Sequence, residues 1–161
     1  MDFYETDPEF MERFEQFAYN EVVNEPGQQL DDQTRYLAVL AALTGCQGLE
    51  EFEETLPKAM EAGVTPVMIK EMVYQAVDYL GIGRVRPFLR AANEIFAARD
   101  VKLPLESQAT TTMEDRLQKG AAAQVEIFGE GMREAWKNGH VNRWLAANCF
   151  GDYYTRGGLD L

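Results

Sequence analysis

The sequence predicts an all-α protein. Apolar residues recur three and four positions apart, and the segments end at capping residues, prolines and glycines. The sharpest punctuation outlines a helical hairpin. Gly63 closes one helix, Thr65-Pro66 supplies an N-cap with proline at the first helical position, and Gly81 stops the next helix after Tyr79 and Leu80.

Taken in order, Asp7-Pro8-Glu9 opens a first helix reaching Asn20, with Phe10, Phe14 and Phe17 at helical spacing and a turn at Glu25-Pro26-Gly27. Asp31 or Asp32 caps a core helix bearing Leu37, Leu40, Ala41 and Leu43, and residues 45–48 read as a loop. In the next helix Leu49, Phe52, Leu56 and Met60 share a face, with Glu50, Glu51, Glu53 and Glu54 around the rest. A proline inside a helix costs about 3 kcal/mol, so a break is expected just before Pro57. The last helix of the block runs from about Arg84 to Arg99, with Pro87 expected in its first turn.

Leu103-Pro104-Leu105 ends this block, and the polar residues that follow read as a linker over 106–114. Thr111 and Glu114 have capping-box spacing ahead of a helix carrying Leu117, Ala121, Val125 and Phe128. Gly129 and Gly131 interrupt it. A short helix is expected over 140–150, then a glycine-rich turn over 151–159.

The net charge of −12, from 27 acidic and 15 basic residues, would repel phosphate backbones and anionic headgroups, so neither nucleic acid nor membrane is an expected partner. The acidic start MDFYETDPEF does not read as a secretory signal, and no apolar run is long enough for a span. Cys46 and Cys149 form no short redox or metal motif, so reduced thiols in a cytoplasmic protein are expected.

Thr34-Arg35 with its apolar run, Gly45, Glu51, Ala59, Gly63-Val64-Thr65, Ile69-Lys70-Glu71, Gln75-Ala76, Tyr79, Gly81 and Asn93-Glu94 together resemble the carboxymuconolactone decarboxylase family, which includes the alkylhydroperoxidase D-like proteins. The resemblance implies an alkylhydroperoxidase D-like helical fold with a central antiparallel hairpin, no cofactor, and a homo-oligomer: a trimer or hexamer, or a dimer that exchanges its tail. It also implies a small-molecule substrate, such as an organic acid or lactone.

An offset of 131 residues pairs Tyr19-Asn20-Glu21 with Phe150-Gly151-Asp152 and Pro26-Gly27 with Gly157-Gly158. The second of these stretches resembles the segment that leads into the family's helix beginning Thr-Arg. The chain therefore reads as one unit over 1–105, the linker over 106–114, and the leading helices of an incomplete second unit over 115–161. The apolar tail is expected to dock on its own first unit or to exchange with a neighbouring protomer, and exchange is favoured by the length of the linker.

Hydroperoxidases of the family use Cys-x-x-Cys-x-x-x-His, where a thiolate attacks and acid and histidine move protons. Cys46 stands near the first cysteine, Glu51 at the second and Thr55 at the histidine. The lactone decarboxylase branch, whose spacing fits better, also carries a histidine where Thr55 stands. Glu51 and Cys46 are therefore the catalytic candidates, Glu51 as acid or base and Cys46 as a single redox thiol; a solvated face and simple packing are their respective alternatives. Gln75, Tyr79, Arg84, Asp152 and Arg156 match family positions and are the substrate-binding candidates, with helix-to-helix hydrogen bonding or a salt bridge as the alternative. His140, the only histidine, has Trp144 four residues on and reads as a stacking group. No metal site is expected. The functional expectations are a decarboxylase or lyase, a non-catalytic oligomeric scaffold or fragment, or a single-cysteine peroxidase.

Overall fold

The computed structural model describes residues 2–27 and 29–159, and every regular element among them is helical. A short α1 (Phe3–Thr6) is capped by Asp2, whose carboxylate accepts the Tyr4 amide at 2.9 Å. It is followed by α2 (Pro8–Gln16), a π-helical stretch (Phe17–Glu21) and a 3-10 turn (Val22–Asn24). The π-helical stretch replaces the end of the helix expected up to Asn20. No residue in this leading segment is buried.

The core is built by α3 (Asp32–Cys46), α4 (Leu49–Glu61), α5 (Pro66–Leu80) and α6 (Ile82–Ala98). Asp31 caps α3, accepting the Thr34 amide at 2.9 Å and its hydroxyl at 2.7 Å. Thr65 caps α5, accepting the Met68 amide at 3.2 Å, with Pro66 where a missing N–H costs nothing. Gly81, at φ 78°, stops α5 where expected and joins it to α6; α5 packs on α6 and α3, and not chiefly on α4 as the hairpin about Gly63 and Thr65 implies. Leu40, Phe52, Leu56, Ile69, Val73, Phe88 and Phe96 are fully buried, and Phe52 meets Phe88 edge to face at 5.1 Å. Each such side chain contributes roughly 1.5–3 kcal/mol.

Two proline expectations are corrected. Helix α4 runs unbroken through Pro57, because the carbonyl left without a donor belongs to exposed Glu53, where water can satisfy it. Helix α6 begins at Ile82 rather than Arg84, which puts Pro87 in the second turn; there the carbonyl that loses its donor is that of exposed Gly83. The loop expected over 45–48 shrinks to Gln47 and Gly48, since α3 continues through Cys46 and ends on Gln47 in the left-handed region at φ 63°.

In the tail, α7 (Arg116–Phe128) packs against a helix that starts as α8 (His140–Trp144) and continues as a π-helix (Leu145–Tyr154). Residues 151–154 therefore belong to this helix and not to a turn. The two helices cross at glycines: a Cβ on Gly120 would collide with the Ala146 carbonyl, and one on Gly151 with the Arg116 carbonyl. The capping box expected of Thr111 and Glu114 does not form. The Thr111 hydroxyl instead donates to the Gly151 carbonyl at 2.7 Å, and the Thr112 amide donates to Asp115 at 2.7 Å.

The segment before α7 lies along the tail, with the Gly157 amide donating to the Gln108 carbonyl at 2.9 Å and the Thr110 hydroxyl to the Thr155 carbonyl at 2.6 Å. The tail docks on α5 of the same chain, the arrangement that the sequence favours less than exchange. A π-helical backbone occurs at both Phe17–Glu21 and Leu145–Tyr154, which the 131-residue offset overlays.

Candidate functional site

Glu51 stands in the first turn of α4, where a carboxylate suits the positive helix end. It faces a groove of about 450 Å³ between α4 and the leading segment, whose walls include Tyr4, Phe10, Phe14 and Tyr19. Asp2, Glu15, Glu50, Glu51 and Glu54 line this groove, and Lys58 is the one cationic side chain among the described residues that line it. Burial, followed by the charge of Glu51, pushes the Tyr19 hydroxyl above its ordinary value. The Lys58 amine lies 6.0 Å from the centroid of the Tyr19 ring. One turn after Glu51, Thr55 is 3% exposed and faces the core.

Cys46 is exposed at the end of α3, its thiol 3.6 Å from the Leu43 carbonyl, and it does not line the groove. Cys149 lies on the tail helix beside Asp78 of α5. Burial pushes its thiol up to about 12, helped by the Asp78 charge. Burial also raises the Asp78 carboxyl, opposed by the hydrogen bond from Cys149.

The five remaining candidates divide among other places. Arg156 donates from Nε and Nη2 to the Glu71 carboxylate at 2.6 and 3.0 Å, and its guanidinium lies 5.3 Å from the Tyr74 ring centroid. This fork joins the tail to α5 beside a cavity of about 240 Å³ that Lys70, Tyr74 and Gln108 also line. Burial lowers the Lys70 amine. Asp152 accepts from Arg116 of α7 at 2.5 Å and from Asn148 at 2.9 Å. Tyr79 hydrogen-bonds the Tyr154 hydroxyl, which together with burial raises its own pKa. Gln75 is half-buried on α5, and Arg84 is exposed in the first turn of α6. Glu51 and Arg156 thus line different cavities, and Cys46 lines neither.

Sequence reasoning passed over Glu71 as an anchor, as well as Tyr74, Tyr154 and the Asp78–Cys149 pair. The available signal was position: Glu71 stands midway between Ile69 and Val73 in an apolar helix, and all three prove buried. A carboxylate there needs a partner.

The model of the carboxymuconolactone decarboxylase family matches residues 8–94, from α2 through most of α6. The chain belongs to this family. No curated protein and no solved structure matches it. The family span holds Glu51, Cys46, Gln75, Tyr79 and Arg84, whereas Asp152 and Arg156 come from the tail beyond it. Among the described residues no group of His, Cys, Asp and Glu side chains converges to hold a metal ion, and no helix is long and apolar enough to cross a membrane.

The two thiols should separate in a labelling experiment. At pH 8 an ordinary thiol is about one-quarter thiolate, whereas one at about 12 is about one part in 10⁴. A disulfide reagent should therefore modify exposed Cys46 first and Cys149 far more slowly, until denaturant releases it. Two equally fast thiols in the folded protein would contradict the placement of Cys149.

Proposed function

We propose that this member of the carboxymuconolactone decarboxylase family is a binding and assembly unit that does not itself carry the family's proton-transfer or dithiol chemistry. The observation that supports this reading most is Thr55: it occupies the position where the family carries a histidine, is buried, and has an aliphatic hydroxyl that does not ionise near neutral pH. The dithiol route lacks its second half as well. Attack of a Cys46 thiolate on a hydroperoxide would release an alcohol and leave a sulfenic acid, which a second thiol must condense with to regenerate the site. Cys149 lies on another element and is held protonated.

The charge of the groove bears on the substrate. Five carboxylates, Glu51 among them, raise the cost of bringing an organic acid into the groove, and a neutral lactone avoids that cost. This favours, as the second reading, a lyase acting on an uncharged small molecule, with Glu51 as acid or base against the aromatic wall. A single-cysteine peroxidase would need an external thiol to recycle Cys46.

Incubation with hydroperoxide and a dithiol reductant, and separately with a lactone substrate, tests these readings. The expected result is turnover no faster than the protein-free blank in both assays. Sustained hydroperoxide turnover lost in Cys46→Ser, or lactone turnover lost in Glu51→Gln, would overturn the proposal in favour of the corresponding enzyme.

A further inference from the structure

The leading segment from Phe3 to Asn24 is helical over nearly its whole length and yet buries no residue. Helices this short are marginal in water, and their stability comes from packing an apolar face. Here that face is open: Phe10 is 67% exposed and Phe17 62%, with Phe10 stacked on Phe14. Its counterpart in the internal repeat shows the same condition on one side. Phe10 and Phe14 pair with Val141 and Leu145, which are also exposed, and Trp144 beside them is 65% exposed. The other side of the tail helix is already committed to α7 and α5 through Ala146, Ala147, Phe150 and Gly151.

Charge decides how two such faces can meet. Residues 2–25 carry eight carboxylates and one arginine, whereas residues 133–143 carry three cations and one carboxylate. Pairing two leading segments would bring like charges together, whereas on the α8 side Arg133 and Lys137 are already paired with Glu130 and Glu134, which leaves Arg143 as the cation without an ion pair among the described residues. A leading segment on an α8 face is complementary in both sign and apolar character.

We propose that the leading segment of one chain docks on the Val141–Trp144–Leu145 face of a second copy of the same chain. This deepens the assembly reading and rests on it. Arg143, which makes no ion pair among the described residues, stands in the apolar strip, and Asp7 and Glu21, three residues before Phe10 and four after Phe17, supply the opposing charge on the phenylalanine side. His140, 6.3 Å from Trp144 ring to ring, borders the same strip. Such a contact is head-to-tail: two chains close it reciprocally into a dimer, or more chains close it into a ring.

Complementation tests it on the full chain. Phe10→Asp/Phe17→Asp spoils only the head, and Trp144→Asp spoils only the receiving face; all three side chains are exposed, and circular dichroism checks the folds. In sedimentation velocity at low salt, each variant alone should associate about 30-fold or more weakly than the wild type. A mixture of the two variants should restore a species of two chains through the one intact contact, and raising the salt should dissociate it. Assembly that survives in either variant, or a mixture that stays monomeric, would overturn this interface while leaving the assembly reading intact. A wild-type chain that is monomeric at micromolar concentration would overturn both.

Discussion

Arg156→Ala is expected to destabilise the protein by about 3–5 kcal/mol, the cost of leaving a buried carboxylate without its cation. Glu71 is 3% exposed and receives both of its charge-assisted hydrogen bonds from Arg156. Because Arg156 is the charged link between tail and α5, beside the Tyr79–Tyr154 and Asp78–Cys149 contacts, the loss should appear in urea unfolding as a lower midpoint. Lysine should rescue only part of it, since an ammonium cannot reproduce the two-pronged contact. Replacing both partners with leucine should recover most of the stability, because an apolar pair of similar volume leaves no unpaired charge. An Arg156→Ala midpoint equal to that of the wild type would mean that the tail is not anchored there.

Gly120→Ala should cost about 3 kcal/mol or more, at the upper end of overpacking, because the added carbon meets backbone rather than a yielding side chain. Gly151→Ala should behave alike, for its Cβ would strike the Arg116 carbonyl on the other side of the same crossing. Gly45→Ala supplies the contrast. It lies in α3 with open space where a Cβ would go, so alanine there should stabilise by about 0.5–1 kcal/mol. Thermal unfolding of the three variants checks the pattern, and equal effects at all three positions would remove the close crossing from the account.

Much of the fold was legible because caps and helix periods are local. Asp31, Thr65, Pro66 and Gly81 each act within a few residues of their own position, and each is found at the end it was expected to mark. Pro57 and Pro87 misled because the cost of an interior proline depends on where the orphaned carbonyl points, and that is set by which helix face meets the core. The π-helical backbone of the tail was illegible for a related reason: it is tied to the close approach of Gly120 and Gly151, two glycines on separate helices.

The candidate site was legible by residue and not by grouping. Position alone could propose Glu51, Cys46, Tyr79, Asp152 and Arg156, but their partners come from elements far apart in sequence: Tyr19 beside Glu51, Tyr154 at Tyr79, Arg116 at Asp152 and Glu71 at Arg156. The repeat contributed something different. It aligned two segments without saying that one would be buried along one side and the other along none.

That asymmetry is the centre of the account, and hydrogen–deuterium exchange followed by mass spectrometry tests it most directly. In the Trp144→Asp variant, held monomeric by dilution, amides of residues 145–155 should exchange more than about 10³-fold slower than a free peptide, opening only with the whole domain. Amides of residues 3–24 should exchange within about tenfold of the free rate, since no residue of that segment is buried within its own chain. A protected leading segment, or a tail exchanging at free-peptide rates in the monomer, would contradict it.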